Sequence, residues 1–309
     1  MMDRGKGINT SQELLCYEIP ASFLVLKSDL LVALRVFEIF ISITATIGNL
    51  LVLVTIWRSP HLQSSSNALV FGLALSDLCV GIASQPLYVG FQAVLFQNSG
   101  EITSCTLANT ITLITKFLTG VTLLTVTAMS VDRYLALCLH LRYEQVVTEK
   151  KTRKVILSLW LISGVPSVIL IFDGLTSFIV FTLTIAVCLV IISFVWIKIY
   201  QVVRLHQAQI QDQLAVASQS FNMARFIKSV VNTMLVLVVV LLCYTPFLLS
   251  EVFLIVSFSR SNFVFLQISY ILVALNSSLN PLVYFWRQRD LRSRAKQLVI
   301  PFCCQTQLQ

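Results

Sequence analysis

Residues 115–134 read TKFLTGVTLLTVTAMSVDRY, an apolar helical run that ends directly in a charged pair. Neither Gly, Pro nor Asn flanks Arg133 to place it in a turn. A charge at the end of a membrane helix is costly unless it is paired, and the adjacent Asp132 is the candidate partner. A period of 3.6 residues puts Thr115 and Arg133 on one face, with Lys116 about 100° away. This helix therefore links a polar outer region to a charged inner end about 27 Å away.

The composition is that of a polytopic membrane protein. The chain has 309 residues, of which 57% are hydrophobic and 12% charged, and its mean hydropathy is +0.85. A soluble domain would carry about twice that charged fraction. The net charge of +8 gathers on one side of the predicted topology, which is cytoplasmic by the positive-inside rule. Topology and anionic inner-leaflet lipid explain this charge, so membrane lipid is an expected partner and nucleic acid is not.

The hydrophobic pattern predicts an all-α membrane protein, a seven-transmembrane helix bundle with a short amphipathic eighth helix. The predicted spans are 31–57, 67–95, a third from Cys105, 152–172, 175–206, 221–257 and 263–286. Residues 1–30 are then an extracellular tail, 31–286 the seven-transmembrane domain, and 287–309 the amphipathic inner helix and cytoplasmic tail. We see no clean signal peptide. The sequon at Asn9 is a glycosylation site if the N-terminus is outside, or a chance tripeptide.

Several motifs stand in order on different predicted helices. The tripeptide Asp132-Arg133-Tyr134 and the following LRYEQVVT (141–148) resemble the third helix and second inner loop of rhodopsin-like (class A) G-protein-coupled receptors. Helix six carries CYTP (243–246) and helix seven NSSLNPLVY (276–284), which resemble the switch motifs of the same family. The resemblance implies that G-protein coupling and switching depend on Asp132, Arg133, Tyr134, Tyr244, Pro246, Asn280, Pro281 and Tyr284. At Tyr244 the family usually has Trp, so the aromatic switch is present but altered.

Asp77 is a carboxylate inside an apolar predicted helix. Such an acid is either a structural polar group satisfied by its neighbours or part of a functional pathway, and we favour the second interpretation. The resemblance implies an internal allosteric sodium pocket formed by Asp77, Thr122, Asn276, Ser277 and Asn280. Oxygen ligands suit such a hard cation. We expect no other metal and no cofactor.

Ligand-binding candidates lie in the outer half of the predicted bundle, and they are Thr115, Lys116, Thr119, Glu251 and Glu38. Lys116 is either satisfied by nearby carbonyls or by snorkelling outward, or it contacts an acidic ligand group. The amine receptors of the family have Asp where this chain has Thr115, which argues against a biogenic amine. Helix seven has no Lys for a retinal Schiff base. The ligand class stays open among peptide, nucleoside and lipid.

The cysteines depart from the family pattern, because the predicted two-residue second outer loop, Asp173-Gly174, has none. Cys16 and Cys105 are therefore either bridged or free thiols. Cys303 and Cys304 follow the amphipathic helix and are candidate palmitoylation sites. The remaining cysteines are predicted to be buried packing residues, namely Cys79, Cys138, Cys188 and Cys243. The short loop and Cys188 resemble the melanocortin branch, whereas the second inner loop resembles adenosine receptors.

The sequence thus predicts a plasma-membrane receptor that binds an extracellular ligand and activates a heterotrimeric G protein as helix six moves outward. Arrestin is a further expected partner. In many relatives the arginine matching Arg133 is tied to an acid on helix six, but here Phe226 stands at that place, so we expect signalling without agonist. The alternative is a transporter or channel, for which the chain lacks paired repeats and broken helices in matching halves. We see no nucleophile–base set and do not expect an enzyme.

Overall fold

The computed structural model describes residues 28–62, 64–97, 105–139, 142–212, 238–257 and 259–305, and every regular element within these ranges is helical. Eight helices carry labels here: α1 (Ser28–Trp57), α2 (the helix Ser65–Cys79, a π-helical turn Val80–Ser84 and the helix Gln85–Gln97), α3 (Cys105–Leu139), α4 (Glu149–Phe172), α5 (Gly174–Asp212), α6 (Val238–Val256 in its described part), α7 (Arg260–Arg287) and α8 (Arg289–Gln305). Short helices at Pro60–Leu62 and Tyr143–Val146 lie between them.

Seven of the described helices, α1 to α7, are long and apolar enough to cross a membrane. Their apolar segments run from 19 residues in α6 to 31 in α3, and a span needs about 20. Large apolar side chains such as Trp57, Phe172 and Val256 are exposed on the outside of the bundle, as expected for a protein whose solvent is lipid. The prediction of an all-α seven-helix membrane protein is confirmed.

The third helix is the centre of the bundle. It packs against α2, α4 and α5, while α1 packs against α2 and α7. The core between the helices is made of fully buried side chains that include Leu73, Leu123, Ile192 and Tyr244. The long helix singled out by its sequence is therefore the element around which its neighbours are placed.

A proline explains the irregularity in α2. Pro86 has no N–H to donate into the helix, and the preceding turn widens so that Gln85 N–H bonds to the carbonyl of Val80, five residues back. Within this turn the carbonyl of Gly81 accepts a 2.7 Å hydrogen bond from the Ser42 hydroxyl of α1. A Cβ on Gly81 would lie 2.6 Å from Thr46 Oγ1, so glycine is required for the close approach of α1 and α2.

The observed boundaries differ slightly from the predicted ones. α4 begins at Glu149, and α5 runs to Asp212 rather than to residue 206. Only Asp173 separates α4 from α5, which confirms the very short outer connection. Its carboxylate accepts hydrogen bonds from Leu175 N–H and the Thr176 hydroxyl, and the second of these lowers the pKa of Asp173.

One cysteine prediction is wrong. Cys188 and Cys243 are buried and Cys79 is half-buried, but Cys138, in the last turn of α3, is exposed. Asn9, Cys16, Phe226 and the first part of predicted helix six (221–237) lie outside the described residues. The side chains of Cys105, Cys303 and Cys304 lie outside the description as well.

The eighth helix is amphipathic. Leu291 and Ala295 are buried against the bundle, whereas Arg292, Arg294 and Lys296 are exposed. α8 contacts α1 and α7. Exposed basic residues beside an apolar face are the arrangement expected of a helix that lies on an anionic membrane surface.

Candidate functional site

Asp77 is the centre of a buried polar cluster midway along the bundle. Its side chain is fully buried, and Oδ1 accepts hydrogen bonds from Ser277 Oγ at 2.8 Å and Thr122 Oγ1 at 3.3 Å. Its Oδ2 accepts one from Asn280 Nδ2 at 2.7 Å. Four of the five residues predicted to form a pocket here are thus in direct contact. They join α2, α3 and α7 through one carboxylate.

The fifth residue, Asn276, lies in the same buried layer without a bonded partner. Neither polar atom of its amide makes a hydrogen bond within the described part of the chain, and the same holds for Asn49 Oδ1 and the Tyr284 hydroxyl. The amide nitrogen of Asn49 does bond to the carbonyl of Ser277 at 3.0 Å. Buried polar groups are normally bonded to protein or to ordered water, so these atoms mark places for water or an ion.

A small cavity lies directly beside this cluster. Thr119, Thr122, Tyr244, Tyr270 and Ser277 line it together with apolar side chains. The cavity has a volume of about 10 Å³, which is about what one bound water molecule needs. Thr119, predicted as a ligand contact, thus faces this inner cavity. Tyr244 is fully buried and forms one wall of the cavity.

The inner end of α3 has the predicted pair of Arg133 and Asp132 and two further contacts that the sequence did not predict. Arg133 donates a hydrogen bond from Nη2 to Ser66 Oγ on α2. Its distance to Asp132, from Nε to Oδ2, is 4.0 Å, at the limit of an ion pair. Asp132 instead accepts a 2.6 Å hydrogen bond from the hydroxyl of Tyr143. Asp132 is therefore shared between its neighbour and the inner loop, and Arg133 depends on α2.

Tyr143 stays protonated and is therefore the donor in that bond. Burial raises the pKa of its hydroxyl, and the hydrogen bond to Asp132 raises it further. Neither Tyr143 nor Ser66 was predicted to have a role. Tyr143 lies in the segment 141–148 that resembles the second inner loop of the family, so its contact with Asp132 could have been predicted. Ser66 is one of three consecutive serines, and only the tertiary structure shows which of them contacts Arg133.

In the outer half, Thr115 belongs to a polar network between α2, α3 and α7. Ser84 Oγ lies 3.0 Å from Thr115 Oγ1 and 3.2 Å from the hydroxyl of Tyr270. Further out, Gln267 accepts hydrogen bonds from Tyr88 and from Gln92. Sequence reasoning missed these partners, because Tyr and Gln in an apolar helix carry no motif.

Glu38 lies on α1 on the side of that network, away from Lys116. Its side chain is buried, and Oε2 has no hydrogen-bond partner among the described residues. Arg35, Tyr88 and Tyr270 are the groups close enough to interact with it electrostatically. The structure therefore divides the predicted ligand candidates between two places.

Lys116 and Glu251 form the second group of ligand candidates, between α3, α5 and α6. Lys116 Nζ lies 3.5 Å from Ser177 Oγ and about equally far from the ring centres of Phe178 and Phe181, at 5.4 and 5.6 Å. Glu251 is buried, with Thr182 Oγ1 3.4 Å from its Oε2. Because Thr115 and Lys116 are about 100° apart around α3, Thr115 contacts Ser84 of α2 and Lys116 contacts Ser177 of α5.

Comparisons with known proteins agree with this architecture. A family model described as 7 transmembrane receptor (rhodopsin family) matches residues 48–178. The chain is 25% identical to the adenosine receptor A2b of Gallus gallus over 88% of this chain and 89% of that receptor. It is 23% identical to melanocortin receptor 4 of Danio rerio, over 86% and 83%. Melatonin receptor type 1C of Xenopus laevis is 31% identical over a shorter stretch, 39% of this chain and 28% of that receptor.

Seven membrane-spanning helices around a central α3, with a buried acid midway and an arginine at the inner end, define a seven-helix membrane receptor. The family model and these relatives make the chain similar to the rhodopsin family, class A, of G-protein-coupled receptors.

Proposed function

We propose that this chain is a plasma-membrane receptor with its N-terminus outside, which couples an extracellular ligand to a heterotrimeric G protein. The observation that carries the proposal is the bonding of α3 to α2 at three levels: at Thr115, Thr122 and Arg133. The outer bond lies beside the ligand candidates, the middle one at Asp77, and the inner one at the cytoplasmic end. A shift of α3 against α2 would change all three together.

Activation is a population shift between two packings of the same helices, driven by a ligand with different affinity for each. Glu251 and Tyr244 both lie on α6, so a ligand that contacts Glu251 acts on the helix whose Tyr244 lines the inner cavity. Pro246 leaves a backbone hydrogen bond unmade in α6, which permits a bend there. Outward movement of α6 would then open a cytoplasmic cavity beside Arg133 for the G protein and, afterwards, for arrestin.

The test is nucleotide exchange. Purified receptor in lipid nanodiscs should accelerate binding of a non-hydrolysable GTP analogue to added heterotrimeric G protein, and an Arg133→Ala variant should not. A transporter or channel would instead carry a solute across vesicles that contain the receptor and would leave the G protein unaffected. Absence of exchange with every G-protein class would overturn the proposal.

The ligand is proposed to bind in the outer half, with Lys116 as a contact for an acidic group. The names of the relatives favour a nucleoside or a peptide, and a lipid is the further class. A ligand panel read through cAMP and calcium identifies an agonist. Lys116→Gln should then weaken agonist potency at unchanged surface expression. Unchanged potency would return Lys116 to a structural role.

A sodium ion is proposed as an allosteric modulator at Asp77. The donor set fits a hard cation, because hydroxyl oxygens of Thr122 and Ser277 surround the carboxylate and Asn276 Oδ1 is buried and unbonded. Bound there, the ion would supply a positive charge that keeps Asp77 ionised and joins α2, α3 and α7. Asp77→Asn should abolish the effect of sodium on agonist affinity. Sodium sensitivity that survives the change would remove the site.

A further inference from the structure

Lys116 is a half-buried cation with few hydrogen-bond acceptors among the described residues. Its ammonium has three donors, and the nearest acceptor in the described structure is Ser177 Oγ at 3.5 Å, the outer limit of a hydrogen bond. Ser177 gives its own proton to the carbonyl of Pro166 at 2.7 Å, so it offers Lys116 only a lone pair. The rings of Phe178 and Phe181 supply weak cation–π attraction. Within the part of the chain that the structure describes, most of the hydrogen-bonding capacity of Lys116 is therefore not met by protein groups.

Glu251 is the matching buried anion. Its side chain is only 5% exposed. The Thr182 hydroxyl lies 3.4 Å from Oε2, but it has one proton and lies closer, at 2.9 Å, to the carbonyl of Phe178. Within the described residues Glu251 thus receives at most one long hydrogen bond, although an ionised carboxylate accepts several.

The two side chains interact electrostatically without touching. The ion pairs within the described residues are Arg133–Asp132 and Arg153–Glu149, so no nitrogen–oxygen distance between Lys116 and Glu251 is 4.0 Å or less. Their contacts on α5, Ser177 and Thr182, are five residues apart, about 7.5 Å along the helix axis. A buried charge left without a partner is strongly unfavourable. A molecule that lies between the two side chains and pairs with both charges would relieve that cost.

We propose that the ligand is a zwitterion of amino-acid size, with its anionic group on Lys116 and its cationic group on Glu251. This inference rests on the proposed function, in that it takes the outer half of the bundle as the ligand site. Standard bond lengths place the ammonium and carboxylate of an α-amino acid about 3 Å apart. Charge-assisted hydrogen bonds add about 2.8 Å at each end, so such a molecule can bridge two groups that lie up to about 8.6 Å apart.

The aromatic rings near Lys116 add a requirement for an apolar body. Phe178 and Phe181 flank Lys116, and Phe247 of α6 packs edge-on against Phe181 at 6.5 Å. Three aromatic rings beside two opposite charges favour a hydrophobic side chain on the zwitterion. A ligand with one charge would leave the other buried and unpaired, so it should bind at least tenfold more weakly.

The probes are L-phenylalanine, N-acetyl-L-phenylalanine and L-phenylalaninamide, which carry both charges, only the negative charge and only the positive charge. The readout is the concentration of probe that raises the thermal unfolding temperature of purified receptor, a measurement that needs no G protein. L-Phenylalanine should act at a concentration at least tenfold lower than either analogue. If it is no more effective than both analogues, the proposal is wrong.

Two variants assign the charges. Lys116→Gln should remove the advantage of L-phenylalanine over L-phenylalaninamide, and Glu251→Gln its advantage over the N-acetyl form. Thr184→Val, on the same α5 with its hydroxyl bonded to Val180 within the helix, is the matched control and should keep the wild-type order. If both charge variants keep the wild-type order, the pair is structural and the proposal fails. Nucleotide exchange measured in parallel reports on coupling alone, so failure of coupling and failure of the ligand class are distinguishable.

Discussion

Ser66 is the residue through which the inner end of α3 can be tested most directly. Arg133 donates to Ser66 Oγ, its contact with Asp132 is at 4.0 Å, and its side chain is 24% exposed. A hydrogen bond to a charged group contributes about 1.5–3 kcal/mol, and partial exposure places this one near the lower end. Ser66→Ala removes the acceptor, and a difference of about 1.4 kcal/mol is tenfold in a two-state equilibrium.

If G-protein engagement requires Arg133 to leave α2, Ser66→Ala should raise ligand-independent nucleotide exchange by about tenfold. The assay is exchange on heterotrimeric G protein by equal amounts of purified receptor in nanodiscs. Ser66→Thr keeps a hydroxyl and should stay close to wild type.

Ser64→Ala is the matched control in the same serine run. Ser64 is exposed, and its side chain caps α2 by accepting from Asn67 N–H at 3.3 Å, without contact to Arg133. Its loss should lower stability slightly and leave exchange unchanged. Equal exchange by Ser66→Ala, Ser64→Ala and wild type would refute the reasoning, because the bond to α2 would then not oppose activation.

Three further predictions concern stability and basal activity. Gly81→Ala should destabilise the receptor by about 1–3 kcal/mol, because the new Cβ would meet the side chain of Thr46 at 2.6 Å and its backbone nitrogen at 3.0 Å. The control is Gly90→Ala, where a Cβ would have nothing within 4 Å and the thermal unfolding temperature should stay unchanged or rise. Equal effects of the two substitutions on the thermal unfolding temperature would contradict the packing argument. Tyr143→Phe removes the 2.6 Å donor from Asp132 and frees that carboxylate for Arg133, so basal exchange should fall by a few-fold; a rise would show that the tyrosine holds the inactive packing. Phe226→Glu should also lower basal second-messenger output at matched surface expression, whereas wild-type output no higher than that of Arg133→Ala would mean that the absent acid has no consequence.

Much of the fold followed from the sequence for simple physical reasons. Apolar runs of span length must be helices, since lipid cannot satisfy backbone hydrogen bonds. The position of Asp77 in such a run indicated a buried polar cluster, and the structure places Thr122, Ser277 and Asn280 around it. The partners were predictable because the family motif names them.

Other contacts were not predictable from the sequence. The period of α3 gave the angle between Thr115 and Lys116, but not which helices lie on either side. Ser84 and Tyr270 on one side, and Ser177 on the other, carry no motif. Cys138 was wrongly expected to be buried, because the hydrophobicity of a membrane helix does not distinguish its lipid face from its protein face.

The sequence by itself determined the number of spans, the identity of the central helix, the acid within α2 and the arginine at the inner end of α3. Tertiary structure decided that Arg133 bonds to Ser66, that Asp132 bonds to Tyr143, and that Lys116 and Glu251 do not form an ion pair. The physical reason is range: helix formation and membrane insertion depend on neighbours in the chain, whereas the partner of a buried charge depends on which distant helix packs beside it.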